Sequence, residues 1–388
     1  MKITIIEPLG SFGGMATYDC GICYGLSKSS NKVTLITSSS FPSKLISNEI
    51  DIYEFFGGAF DKKLSNIKRA VSYLVGLLKT LHHTIKDNPA CIYFHCYDYS
   101  LKEAALLLFL RISQKECILN IHDANSLAAK KKTGSKNLFR KIVNGSSFHL
   151  TTHSAHSSKI LNQTFKNKKV HIMPHSDIDI FFDMSNYSQD KYQLDEEKEK
   201  ILFFGQIKKT KGVDILLEAW SSLNELHSKF QLLIVGAIWG ADQNDLSNKI
   251  EAINSLSPNS VRWINERIPD EHVQFFFQQS MVVVLPYLEI YSSGVLLRAL
   301  GYEKPVIVSD LAAFLEIVDN NNSFIFKSGY SCSLRNVIRE SLINSKLREQ
   351  KKERAMKLVE EKLSWDVTGK KMSELINSII ANNQEVQK

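Results

Sequence analysis

Residues 281–329, MVVVLPYLEIYSSGVLLRALGYEKPVIVSDLAAFLEIVDNNNSFIFKSG, constrain the fold more than any other stretch. Residues 282–285 form an unbroken β-branched and apolar run that ends at Pro286. Such a run suits a parallel strand buried on both faces. A polar loop follows, Gly294 then opens an apolar helical segment to Leu300, and residues 306–308 form a second buried strand. This is a β-α-β unit, which requires a right-handed crossover. In open α/β sheets, ligands gather beyond the carboxyl ends of the strands, where loops meet helix N-termini. Ser293 and Gly294 stand at that place. A glycine there lets backbone approach a ligand, and the free N–H groups of a first helical turn attract anions. The pair is a candidate phosphate site, and an ordinary helix start is the competing reading.

The remaining chain repeats the same alternation. Residues 2–6, 33–37, 91–95, 118–121, 148–152 and 170–174 read as strands, and a glycine turn at Gly10, Gly13 and Gly14 leads into a helix. The glycine spacing is not G-x-G-x-x-G, so a dinucleotide cofactor is not supported. Residues 188–200 are polar and lack periodicity, which suits an interdomain linker. A second strand series follows at 201–204, 232–235, 261–264, 282–285 and 306–308. A chain of 388 residues also exceeds one ordinary core. The expected organisation is α/β, with Rossmann-like domains over 1–187 and 201–364 and a helical tail over 365–388.

Composition excludes several classes. Hydrophobic content of 44% with 23% charged residues describes a globular protein. The N-terminus reads as a first strand and not a signal peptide, and no run is long enough for a membrane span. Six irregularly spaced cysteines do not make a disulfide framework, so a cytoplasmic setting is expected. The Cys20–Cys23 pair lies in a helix-like stretch, which favours a structural role. A net charge of +7 suits anionic substrates or an anionic membrane surface.

Three features carry chemistry. Leu64, Ile67, Val71, Leu74, Leu78, Leu81 and Ile85 recur at helical spacing. Lys62, Lys63, Lys68, Arg69, Lys79 and Lys86 occupy the other face, with no acid between them. A core-facing helix with a solvated basic face is the first expectation, and contact with anionic lipid is the alternative. Lys130, Lys131, Lys132, Lys136, Arg140 and Lys141 read as a cationic loop, without the interleaved aromatics of a nucleic-acid site. His122 stands at a strand's carboxyl end and is a site candidate.

Several motifs follow the order of one family. FFGQIKKTKGVDILLEAW from Phe203, LLIVG from Leu232, VRWINERIPDEHVQFFF from Val261 and the stretch around SSGVLLRALG resemble the donor domain of retaining GT-B glycosyltransferases, the group 1 or family 4 type. GGMATYDCGICYGLS, the NIHD ending at Asp123, and HIMPHSDIDIF resemble its acceptor domain, and LSWDV resembles the start of a tail helix that returns to that domain. The resemblance implies two Rossmann-like domains facing across a cleft. It also implies transfer of a hexose from a nucleotide-sugar to a glycan or lipid-linked acceptor, with retention, in cell-surface polysaccharide synthesis.

The resemblance assigns residues as well. Lys211 matches the diphosphate lysine. The usual arginine after Gly205 is Gln206 here, so one cation is missing and Lys208 is the substitute. Ser293, Gly294 and Val295 match the segment whose N–H groups hold the distal phosphate, and Gly13 and Gly14 match the glycine loop opposite. His122 matches a histidine beside the transferred sugar. The family's paired glutamates are absent in either register, in the manner of a branch with an SGV sequence. Glu289 and Arg298 are what remains near the sugar and ribose. No metal or other cofactor is implied, and no nucleic acid. The rival readings are a nucleotide-sugar epimerase or isomerase on the same plan, and a non-catalytic binding protein on a decayed fold.

Overall fold

The computed structural model describes residues 1–10, 15–42, 46, 49–61, 63–128, 134–176, 191–240, 243–290 and 293–386. Gly13, Gly14, Lys62, Lys130, Lys131 and Lys132 lie outside the described residues, as does 177–190 with the first part of the expected linker. The chain divides into two compact units, Met1–Ser176 with Lys362–Lys388, and Asp177–Glu361.

The first unit holds a seven-stranded sheet of β1 (Lys2–Ile6), β2 (Lys32–Ile36), β3 (Asp51–Tyr53), β4 (Cys91–Cys96), β5 (Glu116–Ile121), β6 (His149–Thr152) and β7 (Val170–Ile172). Its order is β3-β2-β1-β4-β5-β6-β7, with every pairing parallel. The second unit holds β8 (Glu199–Phe204), β9 (Phe230–Val235), β10 (Val261–Ile264), β11 (Ser280–Leu285), β12 (Val306–Ser309) and β13 (Phe324–Phe326), ordered β10-β9-β8-β11-β12-β13 and again parallel throughout. Central strands such as β4 and β9 are buried along their whole length, as parallel sheets covered on both faces require. Strand order reverses between β1 and β4 and again between β8 and β11, the crevice positions where such sheets take ligands.

The edge strands β3 and β13 were not expected from sequence. Each has three residues, too short for a period to show. The tail helix, Trp365–Val386, packs on the first helix, Met15–Lys28, within the first unit. Only glycine permits that approach. A Cβ on Gly25 would stand 2.1 Å from the Trp365 carbonyl oxygen, and one on Gly369 would stand 2.0 Å from the Gly25 carbonyl carbon. Cys20 and Cys23 are both free and buried in the first helix, where burial pushes the thiols up.

Two expectations are corrected. The apolar stripe of the Asn66–Asp87 helix does not face the core. Ile67, Val71, Leu74, Val75, Leu78 and Ile85 are exposed, with Ile67 at 78%. The buried face is Tyr73, Gly76, Leu77, Thr80 and Thr84, because aromatic Phe56 needs the bare backbone of Gly76 against it. The cationic loop is also wrong over its second half. Gly134–Asn144 is a helix that buries Phe139, Ile142 and Val143. Lys136 and Arg140 donate to the Ser126 and Leu127 carbonyls from it.

Candidate functional site

Each unit gathers polar groups at the carboxyl ends of its own strands. In the second unit, β8 is followed directly by Gly205 and β9 by Gly236, both with positive φ (+124° and +147°). A Cβ on Gly236 would lie 2.0 Å from the Gly205 carbonyl oxygen, so the two strand ends touch through bare backbone. The chain then runs through Gln206, which is exposed, and Ile207, which pairs with Ile238. Lys209–Lys211 forms a short 3-10 turn. Leu288 N–H donates to the Thr210 carbonyl at 2.9 Å, clamping this turn to the loop after β11.

The clamp sets Lys211 Nζ 3.6 Å from the centre of the Tyr287 ring. Tyr287 in turn hydrogen-bonds Ser293. Ser293 Oγ caps the Gly294–Gly301 helix by accepting from Leu296 N–H at 3.2 Å. A Cβ on Gly205 would have Val295 as its neighbour at 3.8 Å. Lys211, Ser293, Gly294 and Val295 therefore come together at one helix N-terminus. Burial, and then the charge of Lys208, lower the Lys211 ammonium to about 8. A cation that burial makes costly to keep charged, beside the N-terminus of a helix, favours an anionic ligand.

Lys208 stands further out, its Nζ 5.9 Å from the ring of Trp239, which is 65% exposed. A cavity of about 280 Å³ adjoins it, lined by Ile207, Lys208, Lys209, Val213, Gly240 and Leu246 among others. Glu289 is exposed on the loop after β11, and its N–H reaches the Thr210 carbonyl at 3.4 Å. Arg298 is half-buried one turn into the Gly294–Gly301 helix. A larger cavity, about 450 Å³, lies between the Val213–Ser221 and Gln243–Leu256 helices. Its Lys249 is paired to Asp214 and Asp245, leaving little charge for an anionic ligand.

In the first unit, four consecutive strands each lead into a histidine: His95 on β4, His122 after β5, His153 after β6 and His175 after β7. Their rings surround Tyr18 of the first helix, with centroids 5.0 to 5.4 Å from it. His122 has imidazoles on both sides, His95 Nδ1 at 3.0 Å from its Nε2 and His153 Nε2 at 3.3 Å from its Nδ1. Burial lowers all four rings, His95 to about 4, His153 to about 3, His175 to about 4 and His122 well below the ordinary value. They are neutral at physiological pH. Asp19 lies fully buried 3.1 Å from His95.

Sequence reasoning missed His95, His153, His175 and Asp19. The recurring FHC, IHD, THS and PHS at successive strand ends was the available signal. It missed Tyr287 and Trp239 too, whose roles depend on contacts between loops far apart in sequence.

This architecture, two Rossmann-like parallel-sheet units, is the GT-B glycosyltransferase fold. It matches sucrose-phosphate synthase from Thermosynechococcus elongatus with a TM-score of 0.70 at 15% identity, over 98% of this chain and 100% of that one. It matches Anabaena Alr3699/HepE in complex with UDP with a TM-score of 0.67 at 15% identity, over 97% and 100%. It also matches WaaG, a glycosyltransferase involved in lipopolysaccharide biosynthesis, with a TM-score of 0.61 at 16% identity, over 97% and 99%. More particularly, residues 185–358 match the family Glycosyl transferases group 1. A lipopolysaccharide 1,2-N-acetylglucosaminetransferase of Salmonella typhimurium is 25% identical over 185 residues, 46% of this chain and 48% of that enzyme. The match thus spans about half the length of that relative.

Proposed function

We propose that this protein transfers a hexosyl group from a nucleotide-diphosphate sugar, held by the second unit, to a glycan or lipid-linked saccharide with retention of configuration. The observation that carries the reading is Lys211, packed on Tyr287 beside the N-terminus of the Gly294–Gly301 helix. As the glycosidic bond breaks, negative charge grows on the departing phosphate. A preorganised cation and N–H groups stabilise that charge more than they stabilise the bound donor. Gln206 supplies a hydrogen bond without charge, so Lys211 and Lys208 carry the electrostatic load. Among the solved structures of this fold, HepE is in complex with UDP-glucose, which makes a uridine donor the first to try.

We place the reaction at an anionic membrane surface, on the cytoplasmic side. The exposed apolar stripe of the Asn66–Asp87 helix is bordered along one flank by Lys68, Lys79 and Lys86, so these cations adjoin the stripe and do not oppose it. Such a face inserts shallowly while its cations meet lipid head groups. No helix among the described residues is long and apolar enough to cross a membrane.

The test is a thermal-shift panel of nucleoside diphosphates and nucleotide-sugars, followed by product analysis with and without saccharide acceptors. A ligand at 100 times its Kd stabilises by about 2.7 kcal/mol, well within detection. A glycoside formed only with acceptor present supports the reading. Conversion of the donor alone would replace it with an epimerase or isomerase, and binding without turnover would replace it with a non-catalytic protein.

A further inference from the structure

Tyr287 follows Pro286 just past the end of β11, and only 1% of it is exposed. A tyrosine that merely filled this volume would bring a hydroxyl that phenylalanine does not have to satisfy. Here both parts of the side chain have partners. Lys211 Nζ lies 3.6 Å over the centre of the ring, and the hydroxyl bonds Ser293, whose Oγ also accepts from Leu296 N–H at 3.2 Å. The ring cannot swing away, because Phe314 packs on it with centroids 5.4 Å apart. The main chain is held as well. Ser328 Oγ donates to the Tyr287 carbonyl at 3.1 Å, and Leu288 N–H donates to the Thr210 carbonyl at 2.9 Å. Gly212, at a φ of +68°, closes the junction from the lysine side, where a Cβ would stand 1.9 Å from the Pro286 carbonyl oxygen.

We propose that Tyr287 is a positioning residue that joins Lys211 and Ser293 into one anion-binding unit, its ring fixing the ammonium and its hydroxyl fixing the cap of the Gly294–Gly301 helix. The proposal rests on the reading of Lys211 as the cation for the donor diphosphate, and deepens it. A free lysine side chain has many rotamers, and ordering it only when the ligand arrives weakens binding. The negative face of a fixed ring does that ordering beforehand and favours the charged form, against the burial that brings the ammonium down to about 8.

No acid takes that part among the described residues. The charged groups on the elements packed around Lys211 are Lys208 and Lys209 of its own turn, Asp214 of the Val213–Ser221 helix, Glu289 after β11, Arg298 of the Gly294–Gly301 helix and Asp310 after β12. Of these, Lys208 alone acts on the Lys211 charge, and it disfavours it. Asp214 pairs with Lys249 at 2.7 Å, and Asp310 accepts from Ser328 N–H at 2.8 Å.

Two readouts on the full chain separate the ring from the hydroxyl. Lysine ¹³Cε NMR of the unliganded protein follows the Lys211 titration, its resonance identified by loss in Lys211→Met. Calorimetry from pH 6 to 9 gives Kd for the nucleoside diphosphate that the thermal-shift panel selects, UDP first. Tyr287→Leu keeps the surroundings apolar and removes the ring, so Lys211 should discharge at a lower pH, falling from about 8 to roughly 6.5–7.6. The ratio of variant to parent Kd should then grow about 2- to 20-fold between pH 6 and 9. Tyr287→Phe keeps the ring, so Lys211 should titrate as in the parent, while Kd weakens by about 2- to 10-fold equally at every pH. Because the hydroxyl acts through Ser293, Tyr287→Phe should add nothing on a Ser293→Ala background.

A tyrosine that only fills the core would lower Tm when replaced and leave the lysine titration where it is. An unmoved Lys211 titration in Tyr287→Leu, or losses for Tyr287→Phe and Ser293→Ala that simply add, would overturn the proposal. Should Tyr287→Leu fail to fold, the Tyr287→Phe and Ser293→Ala pair still decides it. A parent that binds no nucleoside diphosphate would strike the donor reading, whereas the lysine titration needs no nucleotide and still judges the ring.

Discussion

Lys211→Met separates what the site does for a ligand from what it costs the free protein. The ammonium is held at about 8 against an ordinary 10.5, chiefly by burial. Keeping it charged at neutral pH costs the folded state on the order of 3 kcal/mol. The sign follows from proton counting. Between about 8 and 10.5 the unfolded chain binds the proton and the folded chain does not, so stability rises with pH there. Below 8 the whole cost is present. Contact with the Tyr287 ring returns ~0.5–2 kcal/mol of it. Methionine keeps the apolar stem and discards the charge, so the unliganded variant should gain ~1–2.5 kcal/mol, about 2–8 °C in Tm.

Binding should move the other way. A charged hydrogen bond to a diphosphate contributes about 1.5–3 kcal/mol, so Kd for the nucleoside diphosphate should weaken by roughly 10- to 150-fold. The parent's affinity should also fall above pH 8 as the lysine discharges, while the variant's stays flat. Calorimetric titration at pH 7 and 9, with thermal melts of the unliganded proteins, reads all three effects. A variant less stable than the parent that binds equally well, with the same pH slope, would refute the argument and remove the anion site from this loop.

Further outcomes follow from the same contacts. Lys211→Ala should lose at least about 10²–10³-fold in kcat while folding normally, and Lys208→Ala should lose less, as steady-state assays of each variant would show. Reversing Lys68, Arg69 and Lys79 to Glu should abolish sedimentation with anionic vesicles and leave turnover of a soluble acceptor intact, each charge contributing about 1 kcal/mol at the surface. Equal sedimentation of variant and parent would reject the membrane contact. Arg298→Ala should weaken nucleoside diphosphate binding if this side chain has taken over the ribose; an unchanged titration would rule that out. Gly369→Val should lift the tail helix from the first helix, because its Cβ would stand 2.0 Å from the Gly25 carbonyl carbon, and limited proteolysis should then cut near residue 362.

The buried strands were legible in the chain itself because a parallel sheet covered on both faces demands continuous apolar runs. Residues 282–285 and 232–235 could hardly be anything else. The helix start at Ser293 was legible for a similar reason: a side-chain cap and a glycine act within a few residues. Which face of a helix meets the core is a different matter. The stripe from Ile67 to Ile85 has the period of a core face, yet the core takes Tyr73 and Leu77 and Phe56 packs on Gly76, because packing is decided by the shape of the partner surface and not by the helix alone. The gathering of four histidines around Tyr18 was likewise beyond the sequence. Its members come from a helix and four strand ends that meet only when the sheet has formed, and only then does burial remove water from the rings and favour their neutral form.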